Sequence, residues 1–544
     1  MASCVPFGNG REVSETIILI DLDRSASESI SYSMNEQDLC YGRGLVLSLF
    51  EKYMPDNCGR YDPGNLLVLV PGLFSGTPAP SACRMLVATA KAKDKGIQIS
   101  NTSGNMPQKL GSLGIAAIVI KGKAPAKNTV VHISADGVGF TSDEELAGVT
   151  VGETVSRLKE MFGRESAIIG CSIAGDMRMP LSSFFCTYPD GVPEYHCPRD
   201  GFGDVWGAKN LRALVVSYDE YFSRECRDPL KFRELSKELT QFITGNSICG
   251  GALPAYGSTI IMNILENGIP VRDDETAGKQ RKEDPAKKTE IKEPQVRRNM
   301  NCAPMCVIGC LNRHTATDGR QYSSPAQVET QEAIKKCFDA DDFDLADRIQ
   351  RGATDIGISA TEFVTACKTY AVALGIENGE ERLAEWLEEV RSGSLTGRVI
   401  ASGTYGPSEL YSDIGMEEWI DRKAIEDEPL FDVRMKTKYA GLSGFSALDL
   451  LYAQIFILEN LGFCIFTSFA LLDKAETMDI MAGMFEAKTG ISMSGEELLG
   501  YASECIKGEK EYSEHRWKTA QESSVPRFTK VLYRFFSSRE ETDE

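Results

Sequence analysis

N-C-A-P-M-C-V-I-G-C-L-N-R, residues 301–313, places Cys302, Cys306 and Cys310 within nine residues of a chain whose other thirteen cysteines are scattered. Thiolates this close, held by short turns, let one loop wrap one face of a soft metal or an iron–sulfur cluster. Three do not close such a site. Cys464, in the run E-N-L-G-F-C (459–464), is the best fourth member. Three local cysteines and a distant fourth match a cubane cluster better than zinc, whose sites tend to come as two close pairs. The alternative is a set of unliganded thiols packed as small hydrophobes.

Size and charge narrow the classes. A chain of 544 residues holds about two to four domains by the usual length relation. Hydrophobic content of 42% and charged content of 25% are ordinary globular values. A net charge of −20 argues against nucleic acid and anionic membrane surfaces as partners. Sixteen cysteines in 544 residues fall far below the density of disulfide scaffolds. Residues 1–15 carry charges and no apolar core, so a reducing cytoplasm is the expected compartment. The most apolar run, 450–472, is interrupted by Glu459 and reads as a buried core helix, not a membrane span.

The spacing of apolar residues divides the chain. Residues 1–215 alternate short β-rich runs with Gly/Pro-rich loops, predicting strands over 16–22, 65–70, 85–90, 116–121, 129–134, 167–172 and 212–217. Helical periodicity covers 44–53 and 153–162 in that half. Beyond it, helices are expected over 329–351, 361–374, 380–391 and 447–472. The fold class is α+β: a sheet-rich domain over 1–215, a helical domain with the cysteine loop over 216–420, and a C-terminal helical domain over 421–544. The charged stretch 273–298 reads as a solvated excursion, the last dozen residues as a fraying tail, and no internal repeat is visible.

Four loops of the first half could hold a large, phosphate-bearing cofactor. Gly42-Arg43-Gly44-Leu45 opens a helix, where glycine lets an anion approach backbone amides. G-T-P-A-P-S-A-C-R (76–84) ends in Arg84, and S-N-T-S-G-N (100–105) is dense in amides and hydroxyls. The fourth, R-D-G-F-G-D-V-W-G-A-K-N (199–210), begins with Arg199. Each also has an ordinary reading as a surface ion pair or a turn.

In this order, the loops resemble the tungsten- or molybdenum-pterin aldehyde:ferredoxin oxidoreductase family. The similarity also includes A-A-I-V-I-K-G-K-A (116–124), G-I-P-V-R (268–272), the cysteine loop, P-A-Q-V-E-T (325–330) and the E-N-L-G-F-C run. The resemblance implies a sheet-rich base for two pterin dithiolenes, covered by two helical domains. A [4Fe–4S] cluster would lie beside one pterin, with magnesium bridging the pterin phosphates. Cys302, Cys306, Cys310 and Cys464 would bind the cluster. Arg43, Gly44, Arg84, Asn101, Ser103, Gly104 and Arg199 would face the pterins from the first domain, and Asp355, Glu459, Leu461, Gly462 and Phe463 from the helical side. The tungsten or molybdenum would be held by pterin sulfurs. Electrons would leave through the cluster to ferredoxin or a ferredoxin-like iron–sulfur subunit, and self-association is compatible with the resemblance.

Three departures bear on function. The cysteine loop is C-x3-C-x3-C where the family has C-x2-C-x3-C, which loosens the match of Cys302. The family's D-x-x-G-[IL]-[CD] signature has Glu459 for Asp in its second copy, and its first copy, T-D-I-G-I-S (354–359), has its letters at another spacing. The chain has four histidines, none between His314 and Cys464, and the stretch 417–446 is short for the family. The imidazole that the family carries over the metal for proton transfer is therefore missing. The resemblance places Glu329 at the position of a family carboxylate near the metal and implies it as the base; the other reading is a glutamate that stabilises a helix start through the N-terminal dipole. The expected activity is interconversion of an aldehyde and a carboxylate. The alternatives are reduction of another small-molecule substrate, such as a thioester, within a larger complex, and a non-catalytic electron-transfer or structural subunit.

Overall fold

β-Branched and leucine-rich runs set the first half. The computed structural model describes residues 15–34, 39–56, 58–90, 96–198, 201–260, 300–311, 314–315, 319–322, 327–403, 447–472, 474 and 476–517. One six-stranded sheet contains β1 (Glu15–Asp21), β2 (Ala26–Tyr32), β3 (Leu67–Pro71), β4 (Arg84–Ala90), β5 (Ile97–Ser103) and β6 (Ile115–Lys121), ordered β2-β1-β6-β3-β4-β5. A second contains β7 (Thr129–Ser134), β8 (Gly137–Ser142), β9 (Ala167–Gly170), β10 (Phe185–Thr187), β11 (Tyr195–His196) and β12 (Leu211–Ser217), ordered β11-β10-β9-β12-β7-β8. Every predicted strand is present, shifted by at most about two residues at its ends.

The two sheets are copies of one topology. Taken from β5 and from β11, neighbouring strands run antiparallel three times, then parallel, then antiparallel. Helix Gly42–Tyr53 precedes β3 as helix Val151–Phe162 precedes β9, and short helices Met106–Ser112 and Gly203–Ala208 precede β6 and β12. The expectation of no internal repeat is thus corrected at the level of structure. Sheet topology depends on which faces are buried, so two copies can keep it while sharing few letters.

Burial explains the strand compositions. The sheets pack face to face through Ile18, Ile20, Leu67, Leu69 and Val87 of the first and Val131, Ile133, Ile169, Leu214 and Val216 of the second. Their outer faces are covered by helix Gly42–Tyr53 and helix Val151–Phe162 respectively. β3 and β9 are therefore buried on both faces and read L-V-L-V-P and A-I-I-G, whereas the edge strand β2 reads A-S-E-S-I-S-Y and is mostly exposed. Helix Val151–Phe162 opens with a capping box, in which Thr150 accepts from the Glu153 amide and the Glu153 carboxylate accepts from the Thr150 amide.

Helices build the second half, in two bodies. One body contains Gln327–Phe338, Phe343–Ile356, Ala360–Leu374, Leu383–Ser392 and Leu395–Ala401, and its core extends to Ala174, Met179 and Leu181 after β9. The other contains Ala447–Leu461, Glu476–Thr489 and Gly495–Trp517, and its core extends to Leu73, Phe74, Ala79 and Ala82 after β3. Each half of the sandwich thus carries a helical body over the equivalent loop. Helix Pro229–Gly245, inside the stretch assigned to 216–420, shares the second core through Phe232, Leu239 and Ile243. The helix expected over 329–351 breaks at Asp339, whose backbone is left-handed at φ 56°, and restarts with Asp342 as its cap. The helix expected over 447–472 stops at Leu461, because Gly462 turns left-handed. Among the described residues, no helix is long and apolar enough to cross a membrane. The stretches 273–298 and 417–446, the G-I-P-V-R run and the last dozen residues lie outside the described residues.

Candidate metal and cofactor centre

Two left-handed glycines dock the helical bodies onto the sheets. Helix Phe343–Ile356 ends at Gly357, φ 77°, and helix Ala447–Leu461 at Gly462, φ 92°. The next residue of each forms a short antiparallel bridge with the loop after β9 or β3, Ile358 with Ser182 and Phe463 with Ala82. The flanking bonds correspond: Ser183 N donates to Gly357 O (2.8 Å) and Ser359 N to Leu181 O (3.3 Å), while Arg84 N donates to Gly462 O (2.9 Å) and Cys464 N to Ser81 O (2.9 Å). Both copies of the signature thus occupy equivalent places, the blurred one included. Three residues before the glycine, the first copy has buried Thr354 where the second has Glu459.

The second dock brings the four cysteines together. Ser81 is its hub: its amide donates to Met305 O (2.8 Å), its Oγ accepts from Val307 N (3.1 Å), and its carbonyl accepts from Cys464 N. Residues between the first and third cysteines and the fourth cysteine are thereby tied to one residue of the β3–β4 loop. Cys302, Cys310 and Cys464 are buried and Cys306 is half-buried. Burial, followed by the charges of Cys302 and Cys464, pushes the Cys306 thiol up to about 12. Cys310 is raised by burial and by Cys306, Cys464 and Cys302. The Arg84 guanidinium opposes this repulsion and donates to Cys464 Sγ at 3.2 Å. Ser103 hydrogen-bonds Cys302.

The chemistry of this donor set fits a cluster. Four thiols from two chain segments share one buried cation, so bound thiolates would be partly neutralised. Among the described residues, no three His, Cys, Asp or Glu side chains gather as tightly as one metal ion requires; a cube of iron and sulfide needs its ligands farther apart than a single ion does. Buried polar atoms also lack hydrogen-bond partners around the junction. They are Arg84 Nε, Asn460 Nδ2 and both ends of the Gln454 amide, two turns before Leu461 on the same helix face. Such groups suit a polar cofactor better than a dry core.

The other expected cofactor residues divide. Asn101 Nδ2 and Glu459 Oε1 approach to 3.5 Å, and Glu459 pairs with Arg43 at 3.3 Å. Arg43 also pairs with Glu509 at 2.6 Å, and these partners outweigh burial and raise its pKa. The helix start at Gly42 is covered by Asn460, whose Oδ1 accepts from Arg43 N at 2.9 Å. A Cβ on Gly44 would lie 2.2 Å from Tyr501 Oη, so this glycine serves helix packing, not ligand approach. Gly104, φ 131°, abuts the Thr187 carbonyl, where a Cβ would come to 2.3 Å. Leu461 and Phe463 are buried at the dock. The Asp355 carboxylate is engaged by Tyr195 Oη (2.8 Å), Gly152 N (3.1 Å) and Arg391 (3.6 Å), so it latches a helix to the second sheet. Glu329 stands half-buried in the first turn of helix Gln327–Phe338, on the body that carries the first signature copy. Arg199 lies outside the described residues.

One group was not visible in sequence. His196, on β11, is 7% exposed, its Nδ1 has no hydrogen-bond partner, and burial together with the nearby Arg84 charge lowers its pKa to about 3. Nothing in its neighbours Tyr195 and Cys197 signals this; only the pairing of Cys186 with His196 brings β11 beside the end of β5.

Comparison with known proteins follows the same division. Residues 17–218 match the N-terminal domain of aldehyde ferredoxin oxidoreductase. Over that stretch the chain carries the N-terminal domain of that family. Its relatives include the tungsten-containing aldehyde ferredoxin oxidoreductase of Pyrococcus horikoshii, 28% identical over 425 residues, 72% of this chain and 66% of that protein. The protein of the same description from Pyrococcus furiosus is 30% identical over 294 residues, 52% of this chain and 46% of that protein. The matched stretches thus span two thirds or less of these aldehyde ferredoxin oxidoreductases. Among solved structures, the active-site complex BamBC of benzoyl coenzyme A reductase, with 1,5-dienoyl-CoA, shares the fold. The TM-score is 0.70 at 18% identity, over 96% of this chain and 94% of that one.

Proposed function

We propose that this chain is an oxidoreductase carrying a tungsto- or molybdopterin and one [4Fe–4S] cluster, and that it interconverts an aldehyde and a carboxylate. The observation that carries the reading is the convergence of Cys302, Cys306, Cys310 and Cys464 with Arg84 at the second dock. The pterin-held metal, when bound, supplies the two-electron and oxygen-transfer chemistry, and the cluster carries electrons one at a time. The chain's own residues bind and orient. The four cysteines hold the cluster, Arg84 offers its guanidinium to Cys464 and to a pterin phosphate, and Asn101, Ser103, Gly104 and Glu459 line the approach. Oxidation of an aldehyde consumes one water and releases two electrons and three protons with the carboxylate. Glu329 is the residue assigned to take a proton, and the electrons pass to ferredoxin or an iron–sulfur partner subunit.

A second reading, reduction of a thioester within a larger complex, is favoured by one observation. No histidine lies between His314 and Cys464, and the buried His196 enters from the opposite sheet. Anaerobic assays with viologen dyes distinguish the two. Reduction of the dye by aldehydes supports the first reading. Its absence, with dye oxidation coupled to aryl or acyl thioesters, supports the second. Glu329→Gln is expected to lower aldehyde turnover at least tenfold; unchanged turnover with every accepted aldehyde would remove Glu329 as the base.

A further inference from the structure

The cysteine centre contains one more thiol than a cluster needs. Cys83 is 1% exposed and immediately precedes Arg84. Its Sγ donates to Ser81 O at 3.4 Å, and the same carbonyl accepts from Cys464 N at 2.9 Å. Ser81 is also bonded to the cysteine loop at Met305 and Val307, so Cys83 lies two residues from the point where both ligand segments meet. After burial, the charge it feels most is that of Cys302, then Cys464, with Cys306 further down the order and Arg84 opposing. Cys249 makes an instructive contrast, because it senses Cys464 alone and bonds Phe466 O.

We propose that Cys83 is a fifth, ligand-competent thiol of the centre, able to take the iron corner assigned to Cys302. The inference rests on the cluster reading above. Cys302 is the member it replaces most readily, because the longer spacer sets it off from the other two and its partner Ser103 is paired across the sheet with Arg84, the residue after Cys83. The exchange is a ligand substitution during cluster insertion. An iron–sulfur bond to Cys83 would form as the iron's bond to the Cys302 thiolate, or to water where Cys302 is absent, breaks. The Cys83 thiol proton passes to the displaced thiolate or to water, and neither iron nor sulfur changes oxidation state.

The full-length chain is purified anaerobically as wild type, Cys302→Ser, Cys302→Ser with Cys83→Ser, and Cys302→Ser with Cys249→Ser. Iron, acid-labile sulfide and the paramagnetic resonance of the reduced protein are measured for each. The proposal expects about four irons per chain in wild type and in Cys302→Ser, with altered g-values in the latter. Adding Cys83→Ser should reduce the content to about three irons or fewer, whereas adding Cys249→Ser should change nothing further. Equal iron and equal spectra with and without Cys83 would overturn it. Because Cys83→Ser disturbs a buried site, Mössbauer spectra of Cys302→Ser alone give a second test. All-sulfur ligation at every iron supports the proposal; a three-iron cluster or an oxygen-ligated iron refutes it. Wild-type protein without iron would refute the cluster reading itself.

Discussion

Glu15→Gln should destabilise the fold and loosen the cysteine centre. The Glu15 carboxylate is buried and accepts from Arg224 at 2.8 and 2.7 Å and from Lys488 at 2.8 Å. Arg224 in turn donates to Gly72 O (2.7 Å) and Ser75 O (2.9 Å), the turn against which Gly462 packs. Strand β1, the β3–β4 loop and helix Glu476–Thr489 thus share one charge network. Burial alone would raise the Glu15 pKa, but the two cations hold it at about 2 against an ordinary 4.5. That difference corresponds to about 3 kcal/mol of stability. Because the folded value is the lower one, this stability is fully present above the unfolded value of about 4.5 and is lost as pH falls through about 2. The partners respond unequally. Lys488 has its pKa lowered, since burial outweighs the attraction of a carboxylate it shares with Arg224. Lys488→Met should therefore cost less than Glu15→Gln. Guanidinium denaturation of wild type and Glu15→Gln should differ by about 3 kcal/mol at pH 7 and by about half of that at pH 3. A difference below about 1 kcal/mol at pH 7, or one independent of pH, would refute the reasoning.

Three further outcomes follow, two of them from the second dock. Gly72→Ala places a Cβ 2.1 Å from Gly462 Cα, backbone against backbone, and should cost at least about 3 kcal/mol and most of the bound iron. Gly148→Ala, left-handed at φ 66° but in open space, should cost only about 1 kcal/mol in the same denaturation assay. Arg84→Gln removes a charge-assisted bond from Cys464, worth roughly 1.5–3 kcal/mol, and should lower the cluster's one-electron potential by roughly 60–130 mV in a redox titration. An unchanged potential would show that the guanidinium does not act on the cluster.

Legibility in the sequence followed the range of the forces involved. Strands β3, β6 and β12 were readable because burial on both faces writes continuous apolar runs. β2, β8 and β11 were not, since edge strands rich in serine, glycine or polar residues look like loops. The cysteine triplet was local and visible. The hub at Ser81 and the shared turn at Gly72 were not, because they join segments hundreds of residues apart through backbone bonds that carry no letter code. The partners of Asp355 were hidden for the same reason: the letters of the signature suggested a cofactor contact, while Tyr195 and Gly152, which engage it, lie on the second sheet and its covering helix. Gly357, by contrast, holds the place its blurred motif left in doubt, since a left-handed helix stop constrains the glycine more tightly than its neighbours.

The most direct test of the central claim is elemental analysis of anaerobically purified wild-type chain and Cys306→Ser, grown with both tungstate and molybdate. The account predicts about four irons and one tungsten or molybdenum per wild-type chain, and loss of iron in the variant. Zinc alone, or iron with neither heavy metal, would contradict it.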